Sequence, residues 1–491
     1  MAVELLPEVQ KFIESPKMVI GGASRDAEGG DVFEVFNPAT GKVLTEVPRG
    51  NVADVDKAVA GARQAFEDRR WAGLRPGKRT EILIKVADLI KRNMNELTQI
   101  ESLDAGKPIS MASAEVWTAA DVFRYYSGWP TKIFGETVPT QDDMFVYSLR
   151  EPVGVCGGII PWNFPIVMAA WKLAPALACG NTVVLKPAEQ TPLTAIRLAE
   201  LCLEAGVPEG VVNVVTGFGP EAGQALAQHP DVDKIAFTGS TEVGRKILHA
   251  SEGNLKRVSL ELGGKSPNIV FSDANLKRAS KISMFGVFSN SGQVCTAGTR
   301  ILVEKSVHDE FVDSLVAATQ TMKLGDPLDE ATGMGPVISE EQLQRVTGYI
   351  DIGRSEGAEV VTGGGRATDL GDGYFVQPTI FAGVNNEMRI AQEEIFGPVA
   401  AVIPVDDVDD AIRIANDTIY GLAAAVWTND ISKAHRVARG LKAGTVWINA
   451  YGNLDVTVSF GGYKQSGFGR ELGLHSIETY TQQKSVWVSL K

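Results

Sequence analysis

The 491-residue chain sets 47 Lys and Arg against 60 Asp and Glu, a formal net charge of −13, with 44% hydrophobic residues and 51 glycines. A chain of that length forms about three structural units and buries about three quarters of its unfolded surface, so it needs no disulfide or metal staples. The acidic balance argues against nonspecific binding to nucleic acid or an anionic membrane, and the composition excludes a disordered or fibrous protein. Four cysteines (Cys156, Cys179, Cys202, Cys295) show neither CxxC nor Cys/His zinc spacing, so no metal is expected and a reducing compartment is. The N-terminal MAVELLPEVQKFIESPK has acidic residues where a secretory signal would be basic, and the apolar run 159–178 is interrupted by Pro165, Lys172 and Pro175. Neither reads as a leader or a membrane span, and the expected location is cytoplasmic.

In chain order, residues 1–50 read as short strands and turns. Two helical patterns follow at 52–65 and 78–103, the second with Ile82, Val86, Leu89, Ile90 and Met94 near the 3.6-residue period. The segment 131–150 carries no helical period and reads as an extended ribbon. From 153, short apolar runs at 153–160, 182–185, 211–215, 234–237 and 258–262 alternate with helices. One of those helices is expected to take Thr191 as N-cap, Pro192 as its first residue and Gly206 as its stop. A second alternation runs from 300, with strands at 300–304, 359–361, 399–404 and 444–448 and helices at 307–321, 340–356 and 409–416. The tail 484–490 is strand-like. The fold class is therefore α/β with two doubly wound parallel-sheet units, and the two isolated ribbons pair with each other or with another subunit.

Two strand-to-helix turns, 217–223 and 237–244, present backbone N–H groups and a helix dipole to an anion. Successive turns of this kind in one parallel sheet point to a nucleotide. Lys186 and Glu189 end an earlier strand, where both can hydrogen-bond a ribose. A like-charge pair of Glu189 with a 2′-phosphate costs on the order of 4 kcal/mol at about 4 Å and an effective dielectric near 20. NAD is accordingly favoured over NADP. Cys156, Cys179 and Cys202 sit in apolar patterns and read as packing residues. Cys295 instead follows a helix ending near Phe288, in the polar, Gly-flanked turn Ser289-Asn290-Ser291-Gly292-Gln293-Val294-Cys295, where a substrate reaches the backbone closely.

Five segments carry a resemblance: Trp162-Asn163-Phe164-Pro165, Leu260-Glu261-Leu262-Gly263-Gly264-Lys265-Ser266, Gly292-Gln293-Val294-Cys295, Glu393-Glu394-Ile395-Phe396-Gly397-Pro398 and Phe460-Gly461-Gly462-Tyr463-Lys464. Together, and in this order, they resemble the NAD(P)-dependent aldehyde dehydrogenase superfamily. The resemblance implies a Rossmann-like NAD-binding domain from 1–130 and 151–262, a catalytic domain over 263–465, and an oligomerisation ribbon from 131–150 and 479–491. It implies Cys295 as nucleophile, Glu261 as general base, Asn163 as oxyanion donor, and Lys172 with Glu471 as a proton route. The cofactor-contacting set it implies is Ile159, Ile160, Pro161, Trp162, Lys186, Glu189, Gly219, Phe237, Gly239, Ser240, Leu262, Glu394 and Phe396.

The activity implied is oxidation of an aldehyde to its acid through a thiohemiacetal and a thioester, in a homodimer or homotetramer. Glu261 favours hydrolysis over acyl transfer to coenzyme A. A coenzyme A-acylating semialdehyde dehydrogenase, or a non-catalytic NAD-binding member of the fold, are the alternatives. The implied pocket positions are Phe164, Trp171, Val294, Thr296, Leu454, Asp455 and Phe460. Of these, Phe164, Trp171 and Phe460 suit an apolar or amphipathic aldehyde, Val294 and Thr296 are small, and Asp455 is either a carboxylate that attracts an ammonium or a solvated loop residue. Asp455 resembles the aminoaldehyde-oxidising subgroup, including γ-glutamyl-γ-aminobutyraldehyde dehydrogenases. Ser459 stands where the family usually has Pro, which frees the loop that shapes the pocket.

Overall fold

The computed structural model describes residues 3–491. Its larger sheet has eight strands in the order Gly467–Phe468, Arg257–Glu261, Lys234–Thr238, Val155–Ile159, Thr182–Lys186, Val212–Val214, Met18–Ile20 and Ala23–Arg25. The five inner strands pair in parallel, and the flanking strands are antiparallel. Helices cover both faces, as βαβ connections require. The second sheet has seven strands, ordered Glu359–Thr362, Thr379–Ala382, Val399–Val405, Arg300–Glu304, Pro267–Val270, Ala423–Trp427 and Thr445–Ile448. Only its Glu359–Thr362 edge runs antiparallel. The short β-branched runs of the sequence supply the inner strands because these are buried on both faces, as Thr182–Lys186 is throughout, whereas the edge strands Ala23–Arg25 and Glu359–Thr362 are largely exposed or half-buried.

The ribbon Met144–Pro152 pairs antiparallel with the tail Thr481–Ser489, from Thr481 opposite Pro152 to Ser489 opposite Met144, and Thr137–Val138 adds a third strand. One face buries Val146 and Ser148, while Phe145, Leu149 and Trp487 stay exposed.

Three local readings change. The single helix expected at 78–103 is two, Pro76–Arg92 and Met94–Ala105, broken at Asn93, whose side chain caps back onto the Leu89 carbonyl at 2.8 Å. Thr191 does not cap the next helix: its hydroxyl donates to the Trp162 carbonyl, and the helix Leu193–Ala205 starts after Pro192. The Leu193 N–H is satisfied instead by Asp104 Oδ2 at 2.9 Å, a cap lent by a different helix. Gly206 does close that helix in the left-handed region, at φ +101°. Of two further helices, Ile109–Ser127 is not expected from the sequence, and Pro165–Ala178 is expected only, without bounds, as the helix between the runs at 153–160 and 182–185. Every residue of the second is buried, so it shows no apolar stripe and no 3.6-residue period. No helix among the described residues is long and apolar enough to cross a membrane.

Candidate active site

The carboxyl ends of the larger sheet's parallel strands, where an open α/β sheet holds ligands, face a crevice of about 780 Å³ whose opposite side is built from segments leading into the amino ends of the second sheet's strands. The helix Leu276–Phe288 ends at its wall and enters the turn Ser289–Gly292. Asn290 (φ +50°), Ser291 (φ +57°) and Gly292 (φ +73°) are all left-handed, an unusual run that reverses the chain sharply. Gly292 is obligatory there, because a Cβ would lie 2.1 Å from the Gly397 carbonyl oxygen. The turn is pinned by Ser291 Oγ donating to Gly335 O and by Gln293 Oε1 accepting from Ile338 N.

Cys295 emerges half-buried on the crevice wall between Val294 and Thr296, while the other three cysteines are buried away from it. Gly264 lets the chains touch, since a Cβ there would lie 2.4 Å from the Cys295 carbonyl oxygen. Burial pushes the Cys295 thiol up to about 12, and the nearby carboxylates of Glu394 and Glu261 push the same way.

Glu261 ends the strand Arg257–Glu261 in the same crevice, with both carboxyl oxygens buried and unpartnered. Desolvation first, then the like charge of Glu471, raise it well above the usual carboxylate range, opposed by Lys172 and Arg470. Glu471 is paired with Lys172, which also donates to Thr238 Oγ1 at 2.6 Å, and its second oxygen is unpartnered. Lys172 itself lies just behind the wall, and Glu471 on it. The Asn163 side-chain nitrogen donates to Gln293 O at 2.9 Å, which leaves it one free N–H.

On the side of the larger sheet, Pro161, Trp162, Gly239, Ser240 and Leu262 line the crevice. Ser240 caps the helix Thr241–Ser251 by accepting from Val243 N at 3.2 Å, so that helix N-terminus opens onto the cavity. Lys186 pairs with Glu189 at 2.9 Å and, with Ile159, Ile160 and Phe237, lies beyond the crevice wall. Gly219 also lies outside it. There the turn differs from a regular helix start: Gly219–Gly223 winds as one wide turn into the five-residue helix Gln224–Gln228.

Glu394 accepts from Gly264 N at 3.0 Å, and burial pushes it up to about 7. Phe396 meets Trp162 edge-on at 5.2 Å. Both are braced by a helix the motifs did not include, Glu340–Ser355: Gln342 donates to Phe396 O and Arg345 to Glu394 O, each at 2.7 Å.

Trp171 and Phe460 form an edge-to-face pair at 5.5 Å, and with Phe164, Met168 and Val456 they make the remaining wall apolar. Leu454 and Asp455 stand exposed at its mouth. Thr457 donates to Asp455 through its hydroxyl and its N–H, which holds that carboxyl below its ordinary value. The freedom expected at Ser459 is offset by a 2.8 Å hydrogen bond between Ser459 Oγ and His475 Nδ1. Sequence reasoning also missed Lys107 and Glu115. No spacing signal marks them, because they reach the site from a different helix pair.

A half-buried thiol and an unpartnered carboxylate face one crevice between two parallel sheets of an α/β fold, an arrangement suited to thiol chemistry. Comparison with known proteins narrows this. A model described as "Aldehyde dehydrogenase family" matches residues 25–486. An aldehyde dehydrogenase of Emericella nidulans is 51% identical over 458 residues, covering 93% of this chain and 92% of that one. The NAD+ complex structure of an aldehyde dehydrogenase from Bacillus cereus superposes with a TM-score of 0.98 at 49% identity, covering 100% of both chains. The indole-3-acetaldehyde dehydrogenase of P. syringae, solved with NAD+, gives 0.96 at 47% identity, covering 98% of both. The chain belongs to the aldehyde dehydrogenase family, and it is an enzyme of that kind.

Proposed function

We propose that this chain oxidises an aldehyde to its carboxylic acid with NAD, with Cys295 as nucleophile, Asn163 as oxyanion donor and Glu261 as the base that activates water. The observation that carries the reading is Glu261: two buried, unpartnered carboxyl oxygens in the same cavity as the half-buried thiol. Such a group is costly unless something else arrives to use it, and a water molecule is what a general base uses.

The Cys295 thiol releases its proton to solvent through the crevice, its thiolate sulfur bonds to the aldehyde carbon, and the carbonyl π electrons move to oxygen. The free N–H of Asn163 stabilises that oxyanion, a donor typically worth about 10²–10³ in rate. Bound NAD supplies the hydride acceptor. The acyl group is then held on Cys295 as a thioester. Glu261 takes a proton from water as the water oxygen bonds to the acyl carbon, and the sulfur leaves as thiolate. Glu471 and Lys172 extend a route for that proton towards Thr238.

For the cofactor, the fitting groups are the Ser240-capped helix N-terminus, the Lys186–Glu189 pair, and Glu394 with Phe396. Ile159 to Trp162, Gly219, Phe237, Gly239 and Leu262 complete the set. Glu189 disfavours a 2′-phosphate, which supports NAD over NADP. We assign 1–130 with 151–262 to NAD binding, 263–465 to catalysis, and 131–150 with 479–491 to oligomerisation. Exposed Phe145, Leu149 and Trp487 support a homodimer or homotetramer through that ribbon. Four free cysteines fit a reducing, cytoplasmic location.

The test is NADH absorbance across aliphatic, aromatic and amino aldehydes, with and without coenzyme A. Sustained NADH without coenzyme A is expected. Dependence on coenzyme A would establish the acyl-transfer alternative, and NAD binding without turnover on any aldehyde the non-catalytic one.

The apolar wall of Trp171, Phe460 and Phe164 suits an apolar or amphipathic aldehyde, and ionised Asp455 at the mouth attracts an ammonium. Asp455→Asn is expected to lower kcat/KM for ω-amino aldehydes by about three- to tenfold, the scale of one screened charge pair, and to leave neutral aldehydes unchanged. Equal losses on both would remove the ammonium preference.

A further inference from the structure

We propose that Lys107 is a positioning residue for the oxyanion donor, acting through the backbone of Asn163; the inference rests on the role of Asn163 proposed above. Lys107 lies in the short connection between the helices Met94–Ala105 and Ile109–Ser127. The residue before it, Gly106, has φ +71°, and a Cβ there would meet Pro336 at 2.9 Å and Pro38 at 3.0 Å, so the connection has one path.

The Lys107 side chain has no exposed surface. An ammonium has three N–H groups, and here each finds an acceptor: Glu115 Oε2 at 2.5 Å, the Asn163 carbonyl oxygen at 3.0 Å and Glu101 Oε1 at 3.4 Å. The face of the Phe164 ring, next in the chain, lies 4.9 Å from the ammonium nitrogen. Glu101 is fixed in turn by Thr194 Oγ1 at 2.7 Å.

A buried ion cluster of this kind is a poor route to stability, because apolar side chains of equal volume serve as well or better. What distinguishes this one is where it ends. It holds the carbonyl of the oxyanion donor and the ring of a pocket residue, at the wall of the reactive crevice.

The same carbonyl accepts a second hydrogen bond, from Asn290 Nδ2 at 2.9 Å, and that amide also reaches Gln293 O at 3.2 Å. Both lone-pair directions of the Asn163 carbonyl are therefore engaged, and its peptide plane is fixed. Asn290 ties Asn163 to the nucleophile turn, whereas Lys107 ties it to a separate pair of helices. The Asn163 amide thus sits in a frame set from two sides. An oxyanion donor needs that, since a misplacement of about 1 Å forfeits much of its effect.

The experiment is a double-mutant cycle on the full-length enzyme, reading single-turnover NADH formation at saturating NAD and aldehyde. Lys107→Met is expected to slow that step about 10–100-fold and Asn163→Ala about 10²–10³-fold. The double mutant is expected to be no slower than Asn163→Ala alone. NAD affinity and the rate of Cys295 alkylation by iodoacetamide should stay within about twofold of wild type in Lys107→Met, which a general loosening of the fold would not allow.

Multiplying effects in the double mutant would overturn the role of Lys107. A loss of less than tenfold in Asn163→Ala would overturn the oxyanion role itself, a separate outcome. Where Lys107→Met fails to fold, Glu115→Gln keeps the volume and weakens the grip on the ammonium. It is expected to slow the same step about three- to tenfold, again non-additively with Asn163→Ala, and an unchanged rate would overturn the inference.

Discussion

Cys295→Ala is expected to abolish NADH formation while leaving NAD binding intact. The loss should be on the order of 10⁴-fold or more, because the substitution removes the covalent route itself. The other thiols offer no substitute: Cys156, Cys179 and Cys202 are buried away from the crevice, and burial raises each of them. Nor does the substitution disturb the frame, since the contacts that shape the turn come from Asn290, Ser291 and Gln293 and the Cys295 backbone rather than from its sulfur. The paired measurement is NADH absorbance at saturating aldehyde against an equilibrium titration with NAD. Normal turnover would remove the nucleophile assignment, and loss of NAD binding would mean that the substitution acts on the fold instead.

The sequence made the sheets legible because their strands are short, β-branched and bounded by turn residues, as in Thr182–Lys186 and Lys234–Thr238. The helix Pro165–Ala178 is legible only through the alternation of those strands, because burial on every side erases the stripe that periodicity needs. The break at Asn93 was invisible because apolar residues continue across it. The cap at Leu193 was misplaced because the carboxylate that supplies it, Asp104, is 89 residues away.

The same division holds within the site. Gly292 and the polar run around it single out Cys295 locally, and the Glu261 and Asn163 motifs can be quoted from the chain. The hydrogen bonds that hold Asn163, from Lys107 and Asn290, span 56 and 127 residues and leave no local pattern. Chemistry-bearing residues are readable one at a time, whereas the contacts that orient them are a property of the packing.

Glu261→Gln separates the two halves of the reaction. Glutamine keeps the volume at the end of the strand Arg257–Glu261 but cannot take a proton. The first half, thiol addition and hydride loss, does not need that proton transfer, so a burst of about one NADH per active site should survive. The second half does, and steady-state turnover should fall about 10²–10⁴-fold, the usual worth of a positioned base. The pH profile supplies an independent readout. Desolvation and Glu471 raise the Glu261 carboxyl, and only its ionised form is a base. Wild-type steady-state turnover should therefore rise with pH through that raised value, and the burst should not follow it. In Glu261→Gln that rising limb is expected to vanish. An unchanged steady-state rate would mean that another group activates the water, and Glu471, with its own unpartnered oxygen, is then the group to replace next.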